Sequence, residues 1–510
     1  MTKLVLKEHQ EFLKKWASDG KSKYRQPTKS RIIIGDDIGL GKTIESLSVL
    51  QDHNRKKILI ITLISLKGKT WEDTVRDFFP HWSVKSVSNT DKIEKQLEDL
   101  NSDTDVIIIS YSQLNVLKRY DTVTKLDGKT LRVENKGKTR PRLHETLMKI
   151  QWDGIIVDEA HEIRNTKSQT FNSLHDITKN RDGDLILVTG TPFYTKPENV
   201  FALCKLIDSS EYNSFWTWRQ KYCIEAPKKS KSGRIVVSLR GQYIMDIVGF
   251  RSLAQIQNDL SKFFIRRERK EVLNLPTISV ETIDIELTPT QRKLYTKLYK
   301  DYQFTYKDVV INGENGAVRY SRAKALCLSP DILIADDTQI RGPKIDALES
   351  LLATLDGNKV IVFSHSVRCL KRLEAKYEAL AKKEGKNKFA YSYTGDLNQK
   401  QRDKVLDTFK DDPEVNILLV STEAGEAGLN LQYCHLAIFL DWSTSPAAND
   451  QALGRLWRLG QENPVVIYLI VALDTIEQGI LEICEDRREL FNQATPLINK
   501  IDAAVKQEKR

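Results

Sequence analysis

The chain has 510 residues, with 79 Lys+Arg against 69 Asp+Glu for a formal net charge of +10, and it is 40% hydrophobic and 29% charged. At roughly 150 residues per domain that predicts about two to four folded domains and argues against a disordered or collagen-like chain. Apolar runs such as Val465–Leu473 are too short to cross a bilayer, and the N-terminal MTKLVLKEHQ has no signal-peptide pattern.

The modest basic excess permits a polyanionic partner without requiring one. Six cysteines (Cys204, Cys223, Cys327, Cys369, Cys434 and Cys484) are scattered, with no C-x-x-C pair. This argues against a disulfide framework or zinc knuckle and fits buried thiols in a reducing compartment.

In chain order, short β-branched runs at Ile32–Ile34, Ile58–Thr62, Val106–Ser110, Ile155–Val157 and Leu185–Val188 alternate with polar helical stretches. Such runs predict fully buried parallel strands with helices on both faces. A basic, Gly-dotted stretch at Lys118–Lys149 predicts a surface hairpin or loop. Glu211–Asp337 is rich in Lys, Arg, Tyr and helix formers, and reads as helical insertions and a linker, with a break at Asn274-Leu275-Pro276. The strand pattern returns at Val360–Phe363, Ile417–Val420, Leu436–Leu440 and Val465–Leu469. The expected domains are therefore a first α/β lobe over 1–210, insertions and linker over 211–337, and a second lobe over 338–510.

Gly35-Asp36-Asp37-Ile38-Gly39-Leu40-Gly41-Lys42-Thr43 follows the first strand and opens an amphipathic helix. Glycines let backbone N–H groups approach phosphate oxygens, and the helix N-terminus adds positive potential. Lys42 would reach the β- and γ-phosphates, and Thr43 would hold Mg²⁺. Asp36 stands where a strict phosphate loop has its first Gly. Further on, the apolar strand Ile155–Val157 ends in Asp158 and Glu159. Asp158 suits a water-mediated Mg²⁺ contact, and Glu159 suits polarising an attacking water. Strand-plus-loop followed by strand-plus-acids points to an NTPase.

With these motifs in view, the chain resembles the superfamily-two helicase-type ATPases, and more closely the Swi/Snf-type duplex-DNA translocases, from about Leu6 to about Phe491. Val5–Gln10 with Trp16 is similar to the family's leading glutamine motif, and Asp37–Thr43 to its phosphate loop, which also carries an acid at the Asp36 position. Asp158-Glu159-Ala160-His161 is similar to its acid box, continued by Glu162-Ile163-Arg164-Asn165. Thr189-Gly190-Thr191-Pro192, Arg266–Leu273 with Leu275-Pro276, Lys359–Ser364, Tyr393–Asp396 with Arg402 and Phe409, Ser421–Leu431 and Gln451–Gln461 follow in the family's order. Three departures stand out. The segment Thr62–Leu66 lacks the usual Pro, which leaves the role of Lys67 open. Glu426 replaces a usual Gly, and Trp457 replaces the usual His between Arg455 and Arg458.

The resemblance implies an α/β fold of two RecA-like parallel-sheet lobes with helical insertions and a central ATP cleft. It implies ATP and Mg²⁺ as cofactors. The implied nucleotide residues are Gln10 for adenine, then Asp37, Gly39, Gly41, Lys42, Thr43 and Gln451. The implied catalytic set is Lys42, Asp158 and Glu159, with Arg455 and Arg458 as arginine fingers; Thr43 and Asp158 are the metal residues. Nucleic-acid contacts are expected from Ser110, Tyr111, Arg164, Asn165, Thr422 and Trp442. Basic clusters at Lys136–Arg142, Pro227–Arg234 and Arg266–Lys270 are either a wider track or solvated surface.

The expected activity is duplex-DNA-stimulated ATP hydrolysis by a translocating monomer that acts on DNA and DNA-bound proteins, with no membrane partner. Its setting would be intracellular, in a prokaryote or phage-infected cell. Two alternatives stay open: a strand-separating DNA or RNA helicase, and a DNA-binding regulator with weak ATPase.

Overall fold

The computed structural model describes residues 5–114, 120–124, 130–134, 143–179, 181–190, 199–227, 235, 243, 245–334, 340–355, 357–383, 385, 389–422, 429, 431–458 and 460–494. The chain forms two compact units, one running to Val272 and the other over Leu273–Glu489. The segment expected to hold insertions and linker is thus shared, its first part folding with the first unit and the rest with the second.

In the first unit, β1 (Arg25–Gln26), β2 (Lys29–Ile34), β3 (Ile58–Thr62), β4 (Val84–Ser86), β5 (Val106–Ser110), β6 (Gly154–Val157), β7 (Asp184–Val188) and β8 (Phe264–Ile265) make one sheet. Its order is β1-β2-β7-β6-β3-β5-β4, with β8 also paired to β2. All pairings are parallel except β1 with β2.

Each residue of β3, β5 and β7 is buried, because alternate side chains enter two different cores. Ile61, Ile109, Val157 and Leu187 meet Phe171, Leu174 and Leu203 on one face. Ile60, Ile108, Ile156 and Val188 meet Leu13, Leu47, Trp71 and Phe79 on the other. This two-sided burial is why the strands read as continuous apolar runs. The five strands expected in this lobe all fall within observed ones. The basic stretch after residue 118 contains an antiparallel hairpin, Tyr120–Thr124 with Thr130–Glu134.

In the second unit, β9 (Ile278–Ile285), β10 (Val360–Ser364), β11 (Ala390–Tyr393), β12 (Ile417–Ser421), β13 (Leu436–Phe439) and β14 (Val465–Ala472) form an all-parallel sheet in the order β9-β14-β13-β10-β12-β11. β9 lies in a stretch that reads as helical and linker sequence. Its residues ISVETIDI alternate, and Val280 is 52% exposed, as suits an edge strand covered on one face. The same stretch yields two hairpins, Cys223–Pro227 with Met245–Phe250 and Gln303–Tyr306 with Val309–Asn312.

All six cysteines are buried. Among the described residues, no helix is long and apolar enough to cross a membrane.

Lys344 illustrates how the second unit spends a charge in its interior. It is fully buried, and its ammonium donates to the carbonyls of Leu440 and Ile470 and to the Glu477 carboxylate, tying two strand ends to one helix. Removing the ammonium leaves Glu477 buried without its cation. Lys344→Met is therefore expected to lower stability by about 3–5 kcal/mol in urea unfolding of the full chain. The double variant with Glu477→Gln is expected to recover part of that loss; a single variant as stable as the parent would refute the assignment.

Candidate nucleotide site

The phosphate loop leaves the C-terminal end of β2, Asp158 follows β6, and Thr189 follows β7. β6 and β7 separate β2 from β3 in the sheet, although β3 comes next in the chain. The loops therefore emerge where the strand order reverses, the place where open parallel sheets form ligand crevices.

Gly41 caps the Lys42–Asp52 helix at φ 89°, a left-handed conformation. The backbone therefore requires Gly, and a Cβ there would lie 2.5 Å from the Gln10 amide nitrogen and displace it. Gln10 is buried on the Glu8–Ala17 helix, where its Oε1 accepts from the Lys7 N–H at 3.0 Å and its Nε2 donates to the Leu40 carbonyl at 3.3 Å. His9 Nε2 bonds the same carbonyl at 2.9 Å. The leading helix thus grips the loop at Leu40. Gln10 still has one amide hydrogen and one lone pair for a further partner.

Lys42 folds back over the loop, donating to the carbonyls of Asp36 at 2.7 Å and Asp37 at 3.0 Å. A Cβ on Gly190 would lie 3.5 Å from the Lys42 ammonium, which places the turn after β7 directly against it. Thr191 and Pro192 lie outside the described residues.

Asp158 is buried, and each carboxylate oxygen is held. Oδ2 accepts from Thr62 Oγ1 at 2.9 Å and from Trp71 Nε1 at 2.8 Å, and Oδ1 accepts from the Glu159 N–H at 2.9 Å. Burial, and then the neighbouring Glu159 charge, push its carboxyl up to about 6 against the pull of the Trp71 and Thr62 bonds.

Glu159 is in the left-handed region, at φ 49°. Its Oε2 lies 3.3 Å from His161 Nδ1, which also lies 3.2 Å from the Thr189 hydroxyl. Burial opposes protonation of His161, but the hydrogen bond and charge of Glu159, with Glu162, outweigh it and raise its pKa. The acids are thereby connected through His161 and Thr189 to the turn beside Lys42.

This lobe brings together Gln10, Gly39, Gly41, Lys42, Asp158 and Glu159. Thr43, the second residue of the loop helix, is half-buried. A hard cation with mostly phosphate and water ligands would need only the Thr43 hydroxyl and an outer-sphere Asp158, and this donor set fits Mg²⁺.

The residues expected to touch nucleic acid divide. Arg164 and Asn165 are exposed. Ser110 is 1% exposed, and its hydroxyl is engaged with Asn89, Ser112 and Gln113. Tyr111 turns its hydroxyl onto the Asp158 carbonyl. Tyr111 thus supports the acid loop from within, while Ser110 is tied to the residues around Asn89 and Gln113. Lys67 is also internal, donating to Asn89 at 3.0 Å and Gln113 at 3.2 Å, and burial lowers its pKa to about 8.

In the second unit Thr422 is buried beside His365, and Trp442 packs edge-on against Phe439 at 4.8 Å. Gln451 and Arg455 share the helix Pro446–Leu456, with Arg458 just beyond it. Residues 423–428, with Glu426, lie outside the described residues, as do most of the basic clusters around 136–142 and 228–234.

The third basic cluster is corrected outright. Arg266, Arg267 and Arg269 are buried, and they clasp the phosphate loop rather than form surface. The pairing of β8 with β2 runs on into the loop. Gly35 N–H donates to Ile265 O at 2.7 Å, Asp37 N–H to Arg267 O at 3.0 Å, and Arg269 N–H to Asp37 Oδ2 at 3.1 Å. A Cβ on Gly35 would collide with the Phe264 ring at 2.5 Å.

Arg267 binds the Asp36 carboxylate through Nε at 2.9 Å and through Nη2, which also reaches Glu45 at 2.7 Å; its Nη1 donates to the His9 carbonyl. Asp36 thus fills its unusual position as a structural acid. Arg267 and Trp71 escape sequence reasoning because an Arg in a basic run and a Trp in a polar helix carry no mark of their distant partners.

The SNF2-related domain family matches residues 9–330, and the helicase conserved C-terminal domain family matches residues 343–460. The chain belongs to the SNF2-related family. Among its relatives, DNA excision repair protein ERCC-6 of Mus musculus is 23% identical over 503 residues, covering 90% of this chain and 30% of that protein. The uncharacterized ATP-dependent helicase YqhH of Bacillus subtilis (strain 168) is 23% identical over 498 residues, covering 92% of this chain and 77% of that one. The chain thus spans less than a third of ERCC-6 but most of YqhH. Among solved structures, the Sulfolobus solfataricus SWI2/SNF2 ATPase core in complex with dsDNA aligns over 96% of this chain and 92% of that one, at 21% identity and a TM-score of 0.39.

Two outcomes are expected for this SNF2-related lobe. Arg267→Ala strands the buried Asp36 carboxylate without its cation and should cost about 3–5 kcal/mol in denaturant unfolding. The second concerns pH. Burial and then the Asp36 charge raise the Glu45 carboxyl from 4.5 to about 8. Across that window the unfolded chain releases a proton that the folded chain keeps, so this group's contribution to stability falls as pH rises. Glu45→Gln cannot titrate and should gain stability relative to the parent between about pH 5 and 8. An unchanging gap would contradict the shift.

Proposed function

We propose that the chain is a motor that hydrolyses ATP in response to duplex DNA and moves along it without separating the strands. The observation that carries this reading is the connected set Lys42–Gly190–Thr189–His161–Glu159–Asp158 at the strand ends of a SNF2-related lobe. The family membership and the name of its relative, DNA excision repair protein ERCC-6, support DNA as the partner.

In this reading Lys42 and the loop N–H groups hold the β- and γ-phosphates, Asp37 and Gly39 shape the loop, and Gln10 and Gln451 contribute polar contacts to the nucleotide. Thr43 and Asp158, the latter through water, would hold Mg²⁺, which when bound neutralises charge on the β- and γ-oxygens. Glu159 orients and polarises the attacking water. His161 reports the acid's state to Thr189 and so to Lys42. Arg455 and Arg458 act on the transferring phosphoryl group, where fixed positive charge is worth most. Arg164 and Asn165 contact the DNA backbone, a contact that carries no sequence information directly.

Steady-state ATPase assays with Mg²⁺, comparing duplex, single-stranded and branched DNA and RNA at one salt concentration, test this. Strong duplex stimulation and displacement of a triplex-forming strand are expected. Stimulation by single strands or RNA alone would favour an unwinding helicase, and a flat response would favour a binding regulator. Lys42→Ala and Glu159→Gln should each reduce turnover by about a hundredfold or more. Arg164→Ala should weaken duplex binding about equally across sequences and reduce the salt slope by about one; an unchanged slope would remove Arg164 from the interface.

A further inference from the structure

The helix Pro446–Leu456 ends between the two arginines. Trp457 leaves helical geometry at φ −89°, ψ 82°. Arg458 therefore sits in a turn, closed by Arg458 N–H to Leu456 O at 3.2 Å and Gln461 N–H to Arg458 O at 3.0 Å. Regular helix geometry fixes Arg455 but cannot fix Arg458.

Two side chains tie the turn to its surroundings: Gln461, whose Nε2 donates to the Cys434 carbonyl at 3.0 Å, and Trp457, the residue next to Arg458. Its indole N–H donates to the Pro276 carbonyl at 2.7 Å, and its ring packs on the core cluster that includes Phe409 and Leu456. Pro276 lies three residues into the second unit and two before β9, whose pairing with β14 starts at Ile278. The Trp457 bond thus attaches the arginine turn to the segment by which the chain enters this unit.

The same segment is anchored upstream. Arg267 binds Asp36, and the Arg269 N–H binds Asp37, both in the phosphate loop. Arg269 and Pro276 are only seven positions apart in the sequence. One short stretch of backbone therefore ends at the phosphate loop on one side and at the arginine turn on the other.

We propose that Trp457 is a positioning residue for Arg458, and that the 269–276 segment couples the phosphate loop to the arginine turn. The proposal rests on the reading of Arg458 as a group that acts on ATP. The indole meets the need on two counts. Its N–H is a donor at any pH, whereas the imidazole usual at this position donates from a given nitrogen only in one tautomer or when protonated, and its larger ring fills the core beside it. Phe would keep an aromatic ring against the same cluster and remove the indole N–H donor.

Turnover of the full chain with saturating duplex DNA, measured against ATP concentration, tests this in three variants. Arg458→Ala checks the underlying reading: if it turns over normally, that reading fails whatever Trp457 does. With Arg458→Ala impaired, Trp457→Phe should lower kcat by about ten- to a hundredfold, as expected for a misplaced catalytic group, with KM for ATP and thermal stability unchanged. An unchanged kcat, or a loss matched by a fall in melting temperature, would overturn the positioning role. A four-residue Gly-Ser insertion between Val272 and Leu273 keeps both anchors and lengthens the connection. It should likewise reduce kcat at unchanged KM, and parental kcat in this variant would overturn the coupling.

Discussion

Arg267 carries the constraint on which the nucleotide site depends. Two carboxylates, Asp36 and Glu45, are fully buried under the phosphate loop and share its guanidinium. Burial alone works against the charge on Arg267, but the two acids outweigh it and hold its pKa above the ordinary arginine value. Charges this deep persist only when paired and hydrogen-bonded. The loop keeps its path because 231 residues separate Asp36 from a guanidinium that the fold returns to it. Without that return, the Asp36 carboxylate would be left buried with no cation in the backbone turn that presents Lys42.

The acids of the site are handled differently. Among the described residues, Asp158 is paired with no cation; Trp71, Thr62 and the Glu159 N–H satisfy its oxygens. Neutral donors fix the carboxylate's orientation without cancelling its charge, so the charge stays available to a metal. Glu159 is steered by a strained backbone conformation and by His161. Local strain of this kind is characteristic of positions where a side chain must point into a site.

Much of this was legible because burial leaves a direct trace in composition. Ile58–Thr62 and Val106–Ser110 read as central parallel strands since both their faces are covered. Gly39, Gly41, Lys42 and Thr43 read as a phosphate loop since their backbone requirements are local. β9 was illegible as a strand because an edge strand alternates like polar helix sequence, and β8 because two residues carry no period. Ser110 and Tyr111 read as surface contacts because a loop after a strand looks the same whether its side chains turn outward or inward. Here Asn89 and the Asp158 carbonyl draw them inward.

The sequence by itself determined the two α/β lobes, the loop that presents Lys42 and the acids at Asp158 and Glu159, because each of these depends on neighbours in the chain. Only the tertiary structure decided that Arg266, Arg267 and Arg269 belong to the phosphate loop, and that Trp457 holds Pro276. Those partners are hundreds of residues from their targets or face them across a fold. A basic run has the same composition on a surface as in a buried clasp. What separates the two is desolvation, which depends on everything packed around the charge rather than on the residues beside it in sequence.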